Sequence, residues 1–432
     1  MKRYLNPEKS KWSQILERQL FNAADLTGRV QAILDEIKTD GMSAVQKFTK
    51  QFDGVAISEF AVTEAEITKA VALLDDELKA AIETAAKNIT DFHARQKTKV
   101  KKIETSPGVV CWQKAVAIEK VGLYIPGGSA PLFSSVLMLA IPAKIAGCQK
   151  IVLCTPPNKE GKIHPAILFA AQLVGVTQIF KLGGVQAIGA MAYGAGHIPK
   201  VSKIFGPGNQ YVMAAKQLVS IADVAIDMPA GPSEVAVIAD DSANPAFIAS
   251  DLLSQAEHGP DSQVVLVTNS EKLVDEVESA LTNQLAELSR MEIATKALNN
   301  SVAIILNTKE EIIDMINEYA PEHLIISMDN YLKVAEKIIN AGSVFLGNYT
   351  PESAGDYASG TNHTLPTNGW ARSFSGVNLD SFIRKITFQE ITKEGIQNLG
   401  PVIEKMAAAE QLDAHKNAVT LRLKAIEDNR KQ

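Results

Sequence analysis

The segment SSVLMLAIPAKIAGCQKIVLC, residues 134–154, contains two apolar patterns from which the fold class is predicted. Residues 134–146 form an apolar stretch long enough for a buried helix, and residues 151–154 form a short apolar run typical of a buried strand. A helix that leads directly into a buried strand is the repeating unit of parallel sheets covered by helices. The segment therefore predicts an α/β protein.

The same alternation of strands and helices continues along the chain. The predicted strands cover residues 151–154, 178–182, 201–205, 235–239, 264–268, 302–306, 324–327 and 343–346, and further helices are predicted at residues 245–257 and 331–340. Eight or more strands are too many for one small unit. We therefore expect two Rossmann-like parallel-sheet domains, one inserted in the other.

Both ends of the chain are predicted to be helical. Apolar residues at helical spacing share one face near the N-terminus: Val30, Ile33, Leu34 and Ile37. Thr63 and Glu66 have the spacing of a capping box. After Phe388 the strand pattern stops, and Gly400-Pro401 separates the last helices from what precedes them.

Segments rich in Gly and Pro at residues 126–129 and 229–233 bracket the inner block and suggest the domain limits. The expected organisation is a helical segment at residues 1–22, a discontinuous first α/β domain at residues 23–123 and 234–376, an inserted second α/β domain at residues 124–233, and a helical tail at residues 377–432.

The composition excludes several classes of protein. A formal charge of -6 and only one short basic stretch, residues 97–102, argue against nucleic acid as a partner. Three cysteines without CxxC spacing suggest neither a disulfide framework nor a thiolate zinc site, which fits a reducing cytoplasm. The N-terminus lacks the apolar run of a signal peptide, and no segment has eighteen uncharged apolar residues, so neither export nor a membrane span is expected.

Gln255 and His258 are three residues apart at the end of a predicted helix, so both side chains project from one helix face. Together they offer an amide oxygen and an imidazole nitrogen to a metal ion. The alternative is a histidine that only stabilises the C-terminal end of the helix dipole.

Glu322 and His323 stand side by side at a helix-to-strand junction. Two adjacent groups of different basicity suit proton transfer in two successive steps. The alternative is an exposed Glu-His turn.

Two further clusters contain histidine. Residues 353–363 combine many small residues with Asp356 and His363, and they follow a predicted strand, where α/β folds often build sites. Glu410 and His415 lie in the tail and by themselves indicate a solvated face. Four of the seven histidines thus fall in polar clusters with carboxylates, and imidazole with carboxylate or amide oxygen suits a catalytic zinc ion.

Glycine-rich loops occur at residues 126–129, 183–184, 206–209 and 230–233, several of them directly after a predicted strand. Each could let the backbone approach a ligand closely, or each could be an ordinary tight turn. None has the G-x-G-x-x-G pattern, because Tyr211 replaces the last glycine after Gly206. Dinucleotide binding therefore does not follow from the motif rule.

Read together, these segments closely resemble the histidinol dehydrogenase family. The matching stretches are VGLYIPGGSAPLFSSVLMLAIPA (residues 121–143), GGVQAIGAMAYG (183–194), KIFGPGN (203–209), AIDMPAGPSEV (225–235), SDLLSQAEHGPDSQV (250–264), EYAPEHL (318–324) and AGSVFLGNYTPESAGDYASGTNHTLPT (341–367). The resemblance implies an NAD-dependent and zinc-dependent oxidation of L-histidinol through L-histidinal to L-histidine.

The resemblance also implies roles for individual residues. One zinc ion per subunit would be held by four side chains: Gln255, His258, Asp356 and His415. His323 would take the alcohol proton during hydride transfer, and Glu322 would activate the water that attacks the aldehyde.

The substrate would contact Ser233, His363 and Glu410, and the zinc ion would coordinate its imidazole and amino nitrogens. NAD would be held by three residues in the glycine-rich motifs: Tyr124, Gln186 and Asn209. The family resemblance further implies a domain-swapped homodimer in which the tail of one chain completes the site of the other.

Two other functions remain open at this point. A zinc hydrolase would use Glu322 as the base for a metal-bound water and would need no NAD. A metal-dependent binding or regulatory protein would have kept the fold without turnover, although an intact Glu322-His323 pair argues against it.

Overall fold

A computed structural model describes residues 1–18, 23–127 and 130–431, which form two compact units. The first unit comprises Met1–Gln96 and Ile118–Phe382, and the second comprises Lys97–Ala117 and Ile383–Gln432. Residues 19–22 of the predicted N-terminal segment and residues 128–129 of the first glycine-rich loop lie outside the described residues.

The strands of the described residues are β1 (Lys2–Leu5), β2 (Lys102–Ser106), β3 (Val109–Ala117), β4 (Lys120–Tyr124), β5 (Lys150–Thr155), β6 (Gln178–Lys181), β7 (Lys203–Phe205), β8 (Ala225–Ile226), β9 (Glu234–Ala239), β10 (Gln263–Thr268), β11 (Val302–Ile305), β12 (His323–Ser327), β13 (Ser343–Leu346) and β14 (Ile383–Ile391).

Their α-helices are α1 (Trp12–Ile15), α2 (Ala23–Asp40), α3 (Met42–Phe52), α4 (Glu64–Val71), α5 (Asp76–Ala94), α6 (Phe133–Ala146), α7 (Pro165–Val174), α8 (Gly184–Tyr193), α9 (Gln210–Ser220), α10 (Pro245–Ala256), α11 (Glu271–Leu285), α12 (Met291–Asn299), α13 (Lys309–Tyr319), α14 (Tyr331–Ala335), α15 (Glu352–Tyr357), α16 (Lys393–Ala409) and α17 (Asp413–Lys431). Short 3-10 helices occur at Lys9–Lys11, Trp370–Arg372 and Leu379–Phe382.

A six-stranded sheet in the first unit has the order β1-β11-β10-β9-β12-β13, and all its pairings are parallel. Along β9, Val235 and Val237 pack into one apolar cluster, whereas Ala236 and Ile238 pack into another. Both faces of the sheet are therefore covered, as expected for a parallel sheet with helices on each side.

A second sheet of the same unit has five parallel strands in the order β6-β5-β4-β7-β8. Leu123 and Leu153 pack on one face, and Val152 and Cys154 pack on the other. The prediction of an α/β protein with two parallel sheets is confirmed. The exact domain limits stay a prediction.

Local signals in the N-terminal region produce the predicted elements. Val30, Leu34 and Ile37 of α2 are buried in the core of the five-stranded sheet. Thr63 and Glu66 form the predicted capping box at the start of α4, since the Glu66 backbone N–H donates to Thr63 Oγ1 at 3.2 Å and the Thr63 N–H donates to Glu66 Oε2 at 2.9 Å.

The expectation that the chain begins only with helix is wrong, because β1 is an edge strand of the six-stranded sheet and pairs with β11. The signal is weak, since β1 has four residues and two of them, Lys2 and Arg3, are charged and exposed. The edge position explains this composition, because such a strand needs no apolar residues on its outer side.

The second unit contains a three-stranded antiparallel sheet, β14-β3-β2, together with α16 and α17. The tail is therefore not purely helical, because β14 pairs with β3 over nine residues. Gly400-Pro401 is not a helix boundary either, since Pro401 lies inside α16. Gly400 lies against Leu423 and Val419 of α17, so the glycine allows two helices to approach closely.

Among the described residues, no helix combines the length and the apolar character that a membrane crossing requires.

Candidate active site

Glu322 and His323 lie at the amino-terminal edge of the six-stranded sheet. β12 begins at His323, which is opposite Val235 at the start of β9. Because β9 and β10 are parallel neighbours, α10 between them returns the chain to this edge and brings Gln255 with it. Ligands of α/β sheets usually bind beyond the carboxyl ends of the strands, so the topology places this site at the less usual edge.

Glu322 and His323 are both buried residues, with exposed fractions of 6% and 3%. The alternative of an exposed Glu-His turn is therefore wrong. The Nδ1 atom of His323 lies 3.6 Å from Oε2 of Glu322 and 3.3 Å from the carbonyl oxygen of Glu234. Its Nε2 atom lies 3.5 Å from Oδ1 of Asp356, so the imidazole stands between two carboxylates.

Three side chains form a group with the spacing of a metal site: His258, Glu352 and Asp356. One ligand atom from each residue lies within 4.8 Å of the others. Glu352 is 1% exposed, and its Oε2 atom has no hydrogen-bond partner among the described residues. A buried carboxylate oxygen without a partner is costly, and a cation would satisfy it.

The amide of Gln255 lies between two carboxylates, and hydrogen bonding favours one of its two orientations. In one orientation, Nε2 donates to Glu322 Oε2 at 3.3 Å. In the other, Nε2 donates to Glu352 Oε1 at 2.6 Å, and the amide oxygen accepts from the backbone N–H of Glu234 at 2.8 Å. The second orientation is preferred, because the first leaves the amide oxygen facing only acceptors.

The electrostatics of the cluster favour positive charge. Burial raises the pKa of Glu322 and that of Glu352 to about 8. Burial alone would lower the pKa of His323, but the carboxylates of Glu352, Glu322 and Asp356 raise it to about 10. Several carboxylates around one imidazole thus attract a positive charge, which is either the protonated imidazole or a bound cation.

Both ring nitrogens of His363 lie within hydrogen-bond distance of neighbouring groups, one of them in the same cluster. Nδ1 lies 2.9 Å from the carbonyl oxygen of Asp356, and Nε2 lies 2.9 Å from Oγ of Ser135 on α6. Ser233 directly precedes β9 and is half-buried, and its carbonyl oxygen accepts from the backbone N–H of Gln263. Ser233 and His363 thus both belong to the first unit. Ser233 lies at the amino-terminal edge of the six-stranded sheet.

The predicted NAD-binding residues are associated with the five-stranded sheet. Tyr124 ends β4, and its hydroxyl accepts from the backbone N–H of Gly184 at 3.2 Å. Gln186 is fully buried on α8, and its Nε2 donates to Asp53 at 3.0 Å while its Oε1 has no partner among the described residues. Asn209 caps α9, and its Oδ1 accepts from the N–H groups of Tyr211 and Val212.

The loop that begins at Gly206 is held by a buried ion pair. Lys216 Nζ lies 2.5 Å from Oδ1 of Asp227 and donates to the carbonyl oxygen of Gly206, while Asp227 Oδ2 accepts from the Gly206 N–H. Gly206 has φ +123°, and a Cβ at this position would overlap the carbonyl oxygen of Tyr124. Only glycine fits here, so this glycine is required by a close approach of two strand ends.

Glu410 and His415 belong to the second unit. Glu410 is the C-cap of α16, and His415 lies in the first turn of α17. Both side chains are exposed. The metal role predicted for His415 and the substrate role predicted for Glu410 stay predictions.

Sequence reasoning missed Glu352, although a signal was present. Glu352 and Asp356 are four residues apart and so project from one face of α15, whereas Gln255 lies in the last turn of α10 and His258 lies two residues beyond its end. The buried ion pair of Glu234 with Arg18, at 2.5 Å, was also missed. Its partners are 216 residues apart, so no local pattern reveals it.

The chain matches the model of a known family, described as histidinol dehydrogenase, over residues 16–423. It is 63% identical over 426 residues to a histidinol dehydrogenase of Bacteroides thetaiotaomicron, an alignment that covers 99% of this chain and 100% of the relative. It is 52% identical to a histidinol dehydrogenase of Yersinia pestis, with 95% and 93% of the two chains covered.

A crystal structure of histidinol dehydrogenase from Elizabethkingia anophelis has the same fold. The two structures superpose with a TM-score of 0.97 at 56% sequence identity, and 99% of each chain is covered.

Proposed function

The chain belongs to the histidinol dehydrogenase family, oxidoreductases of histidine biosynthesis, and we propose that it oxidises L-histidinol through L-histidinal to L-histidine with NAD and zinc. The observation that carries this proposal is the buried pair of Glu322 and His323 beside the metal-site group of His258, Glu352 and Asp356.

A zinc ion fits the residues of this cluster. Imidazole nitrogen and carboxylate oxygen are suitable zinc ligands, and the unpartnered buried oxygen of Glu352 lies beside them. We propose that Gln255, His258, Asp356 and the partner subunit's His415 hold the ion. When bound, zinc supplies a Lewis acid that orients the imidazole and amino nitrogens of the substrate.

His323 and Glu322 suit the two proton transfers of the reaction. His323 is the base that takes the hydroxyl proton of L-histidinol. This role needs the neutral imidazole, and a cation bound among the same carboxylates favours that form, because it replaces the proton as the positive charge of the cluster. Glu322 is the base that activates the water attacking L-histidinal. Its Oε2 accepts from the backbone N–H of Glu234 at 3.0 Å, a donor that it shares with the amide oxygen of Gln255 in the preferred orientation of that amide.

NAD binding is proposed for the five-stranded sheet, at Tyr124, Gln186 and Asn209. Two observations support the fit: the buried Gln186 Oε1 atom lacks a partner among the described residues, and Gly206 leaves no room for a Cβ. An unpartnered amide oxygen accepts from a hydroxyl or amino group, and dinucleotides carry both. When bound, NAD accepts the hydride.

The remaining substrate contacts are proposed at Ser233, His363 and Glu410. The Glu410 and His415 contributions require a homodimer in which the second unit of one chain completes the site of its partner. The side chains of Glu410 and His415 are exposed on the single chain and so are accessible to a partner subunit, which supports this arrangement. The three free cysteines agree with a cytoplasmic location.

The proposal is tested by following NADH absorbance in zinc-loaded protein supplied with L-histidinol and NAD. Two NADH per L-histidine, lost after chelation and restored by zinc, are expected. Absence of NADH formation in protein that retains zinc would contradict the proposal.

A further inference from the structure

Both proposed bases contact the backbone of one residue, Glu234, which begins β9. Its N–H donates to Oε2 of Glu322 at 3.0 Å, a donor shared with the amide oxygen of Gln255. Its carbonyl oxygen lies 3.3 Å from Nδ1 of His323. Glu234 is 2% exposed, so water does not compete for these contacts. The position of this strand end therefore sets the position of both side chains.

The carbonyl oxygen of Glu234 also selects the tautomer of the neutral His323 ring. A neutral imidazole has one N–H donor and one acceptor nitrogen, and a carbonyl oxygen only accepts, so the proton lies on Nδ1. The lone pair then lies on Nε2, which is buried and has no hydrogen-bond partner among the described residues. Oδ1 of Asp356, 3.5 Å from Nε2, would favour a proton there, but in the proposed site this carboxylate binds the zinc ion.

The side chain of Glu234 is anchored by a bidentate ion pair with Arg18. Nε of Arg18 lies 2.5 Å from Oε2 of Glu234, and Nη2 lies 3.0 Å from Oε1. The two side chains are 16% and 2% exposed, so the pair is largely shielded from water and salt. A two-point contact between planar groups fixes the orientation of the carboxylate as well as its distance.

Arg18 also contacts Tyr319, the last residue of α13. Its Nη2 donates to the carbonyl oxygen of Tyr319 at 2.8 Å, and its guanidinium group lies 4.0 Å from the centre of the Tyr319 ring. The chain then reaches Glu322 through Ala320, whose φ of +53° is unfavourable for residues other than glycine. Arg18 thus joins the strand end that contacts the two bases to the helix end that precedes them in the chain.

We propose that Glu234 is a positioning residue for both bases. Held by Arg18, it fixes the carboxylate of Glu322 and keeps the ring of His323 with its proton on Nδ1, so that Nε2 is the basic nitrogen of the reaction. This inference rests on the proposed function, because it concerns the same two bases.

The tautomer of His323 can be measured in the wild-type protein. The nitrogen NMR shifts of a histidine ring distinguish a protonated nitrogen from one with a lone pair, and the spectrum of His323→Asn identifies the His323 signals. We expect Nδ1 to be protonated and Nε2 to be unprotonated in zinc-loaded protein. A proton on Nε2 would overturn the inference. The measurement needs no turnover, so a wrong tautomer and a failed NADH test are distinguishable results.

Glu234→Gln tests the ion pair. The variant keeps the length of the side chain but loses its charge, and one of its terminal atoms becomes a donor that cannot pair with Arg18. We expect kcat for L-histidinol to fall about 10-fold to 100-fold, since a displacement of about 1 Å in a site has effects of this size. KM for L-histidinol should change less than kcat, because the two bases act on the chemical step.

Variants of Arg18 separate this contact from other roles of Glu234. Arg18→Met combined with Glu234→Gln should be no slower than the slower single variant, because both changes break the same contact. Arg18→Lys should retain more of the wild-type kcat than Arg18→Met, since lysine keeps the charge but not the two-point contact. Losses of kcat that simply add in the double variant would overturn the inference.

Asp240→Asn is the matched control. Asp240 follows the other end of β9 and pairs at 3.1 Å with Lys309, the first residue of α13, so this ion pair joins the same two elements at their opposite ends. Asp240→Asn should lower the free energy of unfolding in urea without lowering kcat. Equal losses of kcat in Asp240→Asn and Glu234→Gln would overturn the inference. So would wild-type kcat in a Glu234→Gln variant that is folded by circular dichroism.

Discussion

At the scale of single residues, chemistry in this site depends on burial as much as on residue type. Glu322, His323 and Glu352 are all buried, and each carries a pKa displaced by that burial or by the neighbouring carboxylates. His258, by contrast, is exposed when the whole residue is considered.

Replacing His258 by Asn should remove zinc and activity together. The substitution takes away an imidazole ligand, so zinc affinity should fall by more than about 100-fold, the upper range for residues that act only indirectly on a metal. The metal content of purified protein, measured by mass spectrometry, checks the prediction. Unchanged zinc in the variant would mean that His258 is not a ligand.

Replacing Glu322 by Gln should separate the two oxidation steps. The amide cannot accept a proton from water, so conversion of L-histidinal should slow by about 10²-fold to 10⁴-fold, the usual contribution of a general base. Oxidation of L-histidinol to the aldehyde should be largely spared. Single-turnover measurements from each substrate check this, and an equal loss in both steps would contradict the role of Glu322.

At the scale of elements, the parallel sheets bring distant motifs to shared edges. β9 and β12 are neighbours in the six-stranded sheet although β10 and β11 lie between them in sequence, and this places Glu234 beside Glu322. In the five-stranded sheet, β4 and β7 are neighbours, and this places Tyr124 beside Gly206. Crossover connections thus assemble both proposed ligand regions.

Replacing Gly206 by Ala should destabilise the five-stranded sheet and weaken NAD binding. The Cβ would overlap the Tyr124 carbonyl oxygen at a backbone conformation that favours glycine, so we expect a loss of about 3 kcal/mol of unfolding free energy. Urea unfolding and the KM for NAD check this.

Gly161→Ala is the control for that experiment. Gly161 also has a positive φ of 75°, but nothing lies within 4 Å of the added Cβ. It should lose about 1 kcal/mol and keep its KM for NAD. Equal effects of the two substitutions would show that backbone conformation, and not the contact with Tyr124, is responsible.

At the scale of the whole molecule, the proposed homodimer would combine site residues of one chain with Glu410 and His415 of the partner subunit. The first unit contains Glu322, His323, Gln255, His258 and Asp356, and the second contains Glu410 and His415. In the proposed homodimer, the second unit of each chain serves its partner. The symmetry of a dimer then gives two equivalent shared sites.

Complementation between inactive variants tests this arrangement. His258→Asn and His415→Asn should each be inactive alone, but a mixture unfolded and refolded together should regain activity. With random pairing, half of the dimers contain one intact site, so about a quarter of wild-type activity is expected. A mixture that stays inactive, or full activity in diluted monomers, would contradict the shared site.

The fold class and the local elements follow from the amino-acid sequence alone. Apolar runs such as residues 151–154 and 235–239 predict buried strands because burial on both faces of a parallel sheet demands them. The Thr63-Glu66 capping box and the apolar face of α2 were equally predictable, since both depend on residues within a few positions of each other. The residues that carry the family resemblance were identifiable for the same reason, because each lies in a contiguous motif.

Which of these motifs meet, and at which edge of a sheet, depends on long-range contacts that only the folded chain makes. Glu352 lies beside Gln255 and His258 although about a hundred positions separate them in sequence. The strand β1 can be identified only from its pairing with β11. The antiparallel sheet around β14 and the course of α16 through Pro401 likewise depend on partners elsewhere in the chain. Local patterns fix which residues are buried, but the order of strands in a sheet fixes which buried polar groups share a site.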